Sequence, residues 1–314
     1  MGTLLSVIMT VYNAADYLRQ SIGSILEQSY EDFELIIVDD GSLDESAEII
    51  EGFRDARIRF VRSRHKGRVD SLNSACQIAT GDFLAIADAD DISHPDRLAK
   101  QLQYFERFPE CDVVGSWVQV IDANGNDILL RKYPVKHHVI FDTMPYACSV
   151  AFPASMFRRA MLTEHGLFNP AYIVAHDLDF WLRILPESRF HNLPDPLLNY
   201  RISRESLARK HAETARRETL SLAHSFLKHA KTLDDQQRDF GRARVDYYHG
   251  ELRSARNRLA GLLRHFPFTL RYWRFFIPTL LGSRLHSALR RSRLSRLPGW
   301  ISRHLIPGQS LSPP

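Results

Sequence analysis

Cysteine is scarce in this sequence: Cys76, Cys111 and Cys148 are the only three. Odd in number and far apart, they offer neither a zinc-ligand spacing nor a disulfide framework, which suits a reducing compartment. Long apolar runs are missing too. None reaches the ~18 residues that a membrane-spanning helix needs. The stretch from Met1 to Met9 has no basic segment ahead of its short apolar run, so it reads as a first strand and not as a secretory leader. Glycine and proline, 15 each, are too few for a collagenous or low-complexity chain. Apolar residues at 44% and charged residues at 25% are ordinary globular values. A chain of 314 residues has enough interior to fold without staples, and its length admits one large domain or two ordinary ones.

Acidic residues are absent after Glu251. The net charge of +4 therefore hides a split: residues 1–199 carry 18 Lys+Arg against 29 Asp+Glu, and residues 200–314 carry 23 against 8. Such asymmetry suggests two jobs, the basic part facing something anionic.

The first hundred residues alternate strand and helix patterns. Leu4–Val11, Glu34–Val38, Ile58–Val61 and Phe83–Ala87 read as strands. Between them, Leu18, Ile22 and Ile25 share one helical face, and Val69, Leu72 and Cys76 share another. Capping boxes are expected at Asn13/Asp16 and at Ser42/Glu45, and Ser93, Pro95 and Asp96 open a further helix. This order implies an α/β fold, doubly wound around a mainly parallel sheet. Further strands are expected at Val113–Ile121 and Ala147–Phe152, a short helix at Asp177–Leu185, and an extended segment at Phe190–Arg201 broken by Pro194 and Pro196.

Sheets of this kind bind ligands outside the carboxyl ends of their strands. Polar clusters fall at those ends: Thr10–Asn13, Asp39–Ser42 and Asp88–Asp91. Three carboxylates in Asp88-Ala89-Asp90-Asp91 repel one another unless a cation lies between them, and oxygen ligands of this type suit Mg²⁺ or Mn²⁺. A solvated acidic loop is the plain alternative. Asp177 stands at a helix start, where the dipole favours a carboxylate and a base has a rigid mount. Simple capping is the alternative there, and Asp179 with Arg183 reads as an ordinary i, i+4 ion pair.

Taken in order, Ser6-Val7-Ile8-Met9-Thr10-Val11-Tyr12-Asn13, Val38-Asp39-Asp40-Gly41-Ser42, Gly81-Asp82-Phe83, Ala87-Asp88-Ala89-Asp90-Asp91, Gly166-Leu167-Phe168-Asn169, His176-Asp177 through Arg183, and Leu198-Asn199-Tyr200-Arg201 resemble the family 2 inverting glycosyltransferases of GT-A fold. The resemblance spans about residues 4–205. It implies a catalytic domain over residues 1–205 and a helical, basic extension over 206–314. It implies that Thr10, Val11 and Tyr12 line a nucleoside pocket, that Asp39 contacts the base or ribose, and that Asp88 and Ala89 complete the donor site. Asp90 would be the direct metal ligand for Mn²⁺ or Mg²⁺, with Asp88 and Asp91 beside it, and Asp177 the general base. The partners implied are a nucleotide diphosphate sugar, most simply a UDP-sugar, and a saccharide or lipid-linked acceptor in bacterial surface polysaccharide synthesis. The sequence departs from the family pattern at His176, where a Glu is usual, at Ser203, where a metal-proximal His is expected, and at Arg64-His65-Lys66-Gly67, where an Asn usually begins the segment. His176 is expected to pack or hydrogen-bond, Lys66 and Arg68 to be solvated surface, and Arg201 to be within reach of the diphosphate.

The extension has two parts. Residues 206–267 read as a helical hairpin packed on the first domain, with one weak tetratricopeptide-like spacing. Residues 264–303 interleave Phe266, Phe268, Leu270, Tyr272, Trp273, Phe275, Phe276, Ile277, Leu280 and Leu281 with Arg264, Arg271, Arg274 and Arg284, and Arg290, Arg291, Arg293, Arg296 and Arg303 follow. Aromatic and cationic residues together suit an anionic membrane surface. Nucleic acid is the weaker rival, and a buried helix with a solvated basic face the plain one. A cytoplasmic protein, peripheral on the cytoplasmic face of the inner membrane, fits the first reading. Two other functions compete: a nucleotidyltransferase making the activated sugar, which lacks a Gly-rich basic loop after the first strand, and a non-catalytic membrane- or nucleic-acid-binding protein.

Overall fold

The computed structural model describes residues 5–202, 211–230 and 233–280. Ser203, Leu281, Arg284, Arg290, Arg291, Arg293, Arg296 and Arg303 lie outside the described residues, as does the side chain of Arg271.

Four strands and the helices between them open the chain. They are β1 (Leu5–Val11), α1 (Ala15–Leu26), β2 (Phe33–Asp39), α2 (Ser46–Glu51), β3 (Ile58–Arg62), α3 (Arg68–Ile78) and β4 (Phe83–Asp88). A two-residue strand β5 (Ile92–Ser93), helix α4 (Arg97–Arg107) and the hairpin β6 (Val113–Ile121) and β7 (Asp127–Arg131) follow. Then come α5 (His137–Thr143), β8 (Met156–Arg158), α6 (Ala160–His165), α7 (His176–Ile184) and β9 (Phe190–Arg201). The extension supplies α8 (Ala212–His229), α9 (Asp235–Tyr248), α10 (Leu252–His265) and α11 (Leu270–Thr279).

The sheet order is β3-β2-β1-β4-β8-β6-β9-β5, with β7 on β6. Strands β3, β2, β1 and β4 are parallel, as right-handed crossovers through α1, α2 and α3 require. Register sets Val11 opposite Asp39 and Thr10 opposite Asp88, so the polar strand ends share one level. One apolar layer, with Leu18, Ile22, Leu98 and Phe105, covers one sheet face; another, with Leu72, Phe157, Phe168 and Trp181, covers the other.

Three local expectations fail for physical reasons. Asn13 does not cap α1: its φ is 49°, and its Oδ1 accepts from the Leu43 N–H at 2.8 Å. The start of α1 is held instead by the β2–α2 loop, where Ser46 Oγ accepts from Ala14 N–H and Asp44 from Ala15 N–H. No capping box forms at Ser42 either, because its hydroxyl binds Asp39 and accepts from Asn13 N–H. Residues 147–152 form no strand. Asn192 donates to the Ser149 carbonyl and Phe152–Ala154 is a 3-10 turn, so the strand is Met156–Arg158, antiparallel to β4 and β6. Conversely, β9 is one strand. Its exposed prolines sit where the register with β6 jumps, Leu193 facing Ser116 and Pro196 facing Trp117. A bulge needs no ladder N–H there.

The extension packs on this sheet. Ala223 and Leu227 of α8 join Val118 and Val120 of β6 in one cluster, and Phe226 meets Phe141 of α5 edge-on at 6.2 Å. Arg244 pairs with Asp142 at 2.9 Å. Ala243, Leu259 and Leu262 bury against Tyr272.

Candidate functional site

Strand ends build the site. At the end of β2, Asp39 is fully buried and its carboxylate is taken up by Ser42, whose N–H donates at 3.2 Å and whose hydroxyl donates at 2.5 Å. Asp40, missed as a functional residue by sequence reasoning, ties down the β3–α3 loop. It accepts from Lys66 N–H at 2.8 Å, Gly67 N–H at 2.9 Å and Ser71 Oγ at 2.8 Å. Gly41 allows this close approach: its φ is +73°, and a Cβ there would lie 2.8 Å from the His65 backbone nitrogen. The exposed Tyr12 ring stacks on His65 with centroids 4.3 Å apart.

At the end of β4, Asp88, Asp90 and Asp91 bring one carboxylate oxygen each within 4.8 Å of one another. Burial first and the Asp88 charge second push the Asp90 carboxyl up to about 6. Burial, then Asp90 and Asp88, push Asp91 well above the usual carboxylate range. Asp91 Oδ1 accepts from Arg201 N–H at 2.7 Å, while its Oδ2 is buried without a partner. Hard oxygen ligands, crowded charge and an unpartnered buried oxygen fit a divalent cation.

Three arginines answer this charge. Arg68, expected on solvated surface, instead pairs with Asp88 at 2.5 Å and lies within electrostatic reach of Asp90 and Asp177. Arg97 is completely buried, donating to the Ile86 and Ser155 carbonyls, and burial pulls it down to about 10. Arg201, expected to reach a diphosphate, has its guanidinium committed elsewhere. It donates to the carbonyls of Asp90, Asp122 and Ala123 and to Gln20, and lies 4.4 Å over the Tyr17 ring. It fixes the aspartate loop.

Asp177 is the second residue of α7 and is half-buried. Burial pushes it up to about 6, against the Leu178 N–H that donates to its Oδ1 at 2.8 Å and the Arg68 charge. A carboxylate poised there can take a proton near neutral pH. Cys148 Sγ stands 4.0 Å from its other oxygen. The neighbouring His176 ring is buried between Phe152 and Phe168, and burial draws it down to about 3. It packs, as expected. The 165–169 segment is clamped by Asn73, which exchanges two hydrogen bonds with Phe168, and by Arg183, which donates to the His165 and Leu167 carbonyls and pairs with Asp179 at 3.0 Å.

The model of the family described as glycosyl transferase family 2 matches residues 6–166. The O-antigen biosynthesis glycosyltransferase WbnJ of Escherichia coli is 35% identical over 213 residues, which is 65% of this chain and 81% of that protein. The structure of S. aureus TarS 1-349 in complex with UDP-GlcNAc superposes with a TM-score of 0.62 at 19% identity, covering 95% of this chain and 89% of that one. The mannosyltransferase PcManGT from Pyrobaculum calidifontis, in complex with GDP-Man and Mn²⁺, gives 0.60 at 17% identity, covering 96% and 84%. At such identities the structural likeness speaks for the fold alone.

Proposed function

The chain belongs to glycosyl transferase family 2 and has the GT-A fold, and on that footing we propose that it is a metal-dependent inverting glycosyltransferase. Its donor is a nucleotide diphosphate sugar, a UDP-sugar in the simplest case, and its acceptor is a hydroxyl of a saccharide or lipid-linked saccharide. The observation that carries this reading is the convergence of Thr10, Asp39 and the Asp88–Asp90–Asp91 cluster on one level of the sheet, with Asp177 coupled to it through Arg68.

Residues 1–205 form the catalytic unit in this reading, and 206–314 the helical, basic extension. Thr10, Val11 and Tyr12 line the nucleoside pocket, and the Tyr12–His65 stack offers the base an aromatic platform. Asp39 takes the base or ribose once Ser42 turns aside from it, and Asp88 and Ala89 complete the donor site. Asp90 holds the cation, with Asp88 and Asp91 beside it. A bound Mn²⁺ or Mg²⁺ supplies positive charge against the diphosphate that leaves. Asp177 accepts the proton of the acceptor hydroxyl as its oxygen attacks the anomeric carbon on the face opposite the diphosphate. The transition state is oxocarbenium-like, and a single displacement inverts the anomeric configuration.

Surface polysaccharide synthesis is supported by the relative's role in O-antigen biosynthesis. Among the described residues no helix is long and apolar enough to cross a membrane. Contact with an anionic membrane, at the cytoplasmic face of the inner membrane, is proposed for the end of the extension. There Phe268 is 94% and Leu270 82% exposed, with Trp273, Ile277 and Leu280 also open to solvent beside the exposed Arg264 and Arg274. Tyr272 of the same helix faces inward.

The test is thermal melting with UDP and GDP in the presence of Mn²⁺, followed by a donor-hydrolysis screen. A rise in Tm with one nucleotide diphosphate and Mn²⁺ is expected. No shift with either nucleotide refutes the donor site.

A further inference from the structure

The loop in front of Asp177 is held by a residue from outside the catalytic unit. Glu218 lies on α8, is buried, and receives three backbone donors: Ile173 N–H at 3.1 Å on Oε1, and Val174 N–H at 3.0 Å and Ala175 N–H at 2.9 Å on Oε2. Ala175 is the residue that precedes α7, and no side chain of α7 or its flank caps that helix. Asp177 follows two positions later. In the 169–175 loop, Asn169, Pro170, Ala171 and Ile173 are exposed and Tyr172 packs part-buried against the core, and the loop has no strand or helix of its own. The Glu218 carboxylate is thus the polar anchor of the 173–175 backbone just ahead of α7.

From this we propose that Glu218 is a positioning residue for glycosyl transfer: through the 173–175 backbone it sets where Asp177 stands relative to the Asp88–Asp91 cluster. The inference rests on the function proposed above. It makes the helical extension part of the catalytic machinery and not only an attachment. Physically, a carboxylate accepting three N–H groups is the strongest acceptor the position can carry, and charge-assisted bonds are roughly twice as strong as neutral ones. An amide in its place keeps one accepting oxygen and turns an NH₂ against the remaining N–H donors. The loop then shifts, and a displacement of about 1 Å at a catalytic group costs up to about 100-fold in rate.

The experiment uses the full chain and water as acceptor, so that no acceptor need be known. Wild type, Glu218→Gln, Glu218→Ala and the exposed control Glu213→Gln are compared for hydrolysis of UDP-glucose, UDP-galactose, UDP-GlcNAc and GDP-mannose with Mn²⁺. Amide hydrogen exchange is followed at residues 173–175. Glu218→Gln is isosteric and keeps the test informative if Glu218→Ala fails to fold. The expected result is kcat about 10-fold lower in Glu218→Gln and about 100-fold lower in Glu218→Ala, with donor KM and the UDP/Mn²⁺ melting shift unchanged within twofold. Exchange at 173–175 should be faster in both, and Glu213→Gln should match wild type. Faster exchange with wild-type kcat makes Glu218 merely structural and overturns the proposal. So does a raised KM with unchanged kcat, which would place the effect on donor binding. A wild-type chain that hydrolyses no nucleotide sugar overturns the parent reading instead, and this inference falls with it.

Discussion

Replacing Asp90 by Asn tests the electrostatics of the cluster without any substrate. Carboxylate oxygens of Asp88, Asp90 and Asp91 lie within 4.8 Å of one another. Two full charges at that separation repel by roughly 3.5 kcal/mol at an effective dielectric near 20. Arg68, paired with Asp88, offsets part of this. Removing one charge therefore relieves on the order of 2 kcal/mol, which corresponds to roughly 4–8 °C in Tm for a domain of this size. The sign follows from linkage. Burial and Asp88 raise the Asp90 carboxyl in the folded chain to about 6 from its ordinary 3.8. The penalty is absent below the unfolded value, where the acid is protonated in both states, and grows as pH rises through the folded value. In EDTA at pH 7.5, Asp90→Asn should melt above wild type, and at pH 4.5 the gain should shrink towards zero. Mn²⁺ should raise the wild-type Tm and leave the variant where it was. Differential scanning fluorimetry reads all four conditions. A variant that melts below wild type at pH 7.5 in EDTA, or one that keeps the full Mn²⁺ increment, would refute the reasoning.

Asp177→Asn should keep the UDP/Mn²⁺ melting shift and lose at least 100-fold in donor hydrolysis; a rate above a tenth of wild type removes Asp177 as base. In the wild type, hydrolysis should fall as pH drops through about 6, where the folded Asp177 takes up its proton; a flat profile from pH 5 to 8 contradicts this. Burial alone would raise Glu34, yet bonds from Ser6, Thr80 and Arg59 outweigh it and hold its carboxyl at about 2. Its contribution, on the order of 2 kcal/mol, should be present above pH 4.5 and vanish as pH falls towards 2. Urea melts of Glu34→Gln at pH 7 and pH 3 check this, and an equal loss at both is the failing result. Wild type should co-float with phosphatidylglycerol vesicles, and the combined change Phe268→Ser, Leu270→Ser and Trp273→Ser should cut flotation at least fivefold. Undiminished flotation, or none in the wild type, counts against the membrane-facing end of the extension.

The parallel core was readable because its signals are local. Apolar runs at Leu5–Val11, Phe33–Asp39 and Phe83–Asp88 alternate with apolar helical faces, and Asp39 and Asp88 close their strands. Their common level is a consequence of parallel register, so a parallel sheet by itself sets Asp39 and Asp88 at the same edge. Helix starts were misread for the opposite reason. Asn13 and Ser42 look like caps in isolation, but each has its polar atoms claimed by the other loop about thirty residues away. Residues 147–152 are apolar enough for a strand, yet their backbone is satisfied by Asn192 and a 3-10 turn. Composition does not report which of two partners a carbonyl takes.

Arg68 and Glu218 show the same limit at the site itself. Arg68 stands in a basic stretch, Arg64-His65-Lys66-Gly67-Arg68, where solvent exposure is the ordinary outcome for Lys66 and holds for it. Only the packing of α3 against β1 and β2, with β1 paired to β4, brings the Arg68 guanidinium onto Asp88, twenty residues ahead. Glu218 is one of eight acids in a segment with 23 basic residues, where an acid reads as surface charge balance. It is instead buried and gathers three N–H donors from 43 to 45 residues away. A net charge describes surfaces, so a single buried acid inside a basic segment is invisible to it. Such a residue is costly to bury and must therefore be paired. Here the groups that pair with it belong to the loop leading into Asp177, and that pairing joins the basic C-terminal helices to the acidic first part of the chain.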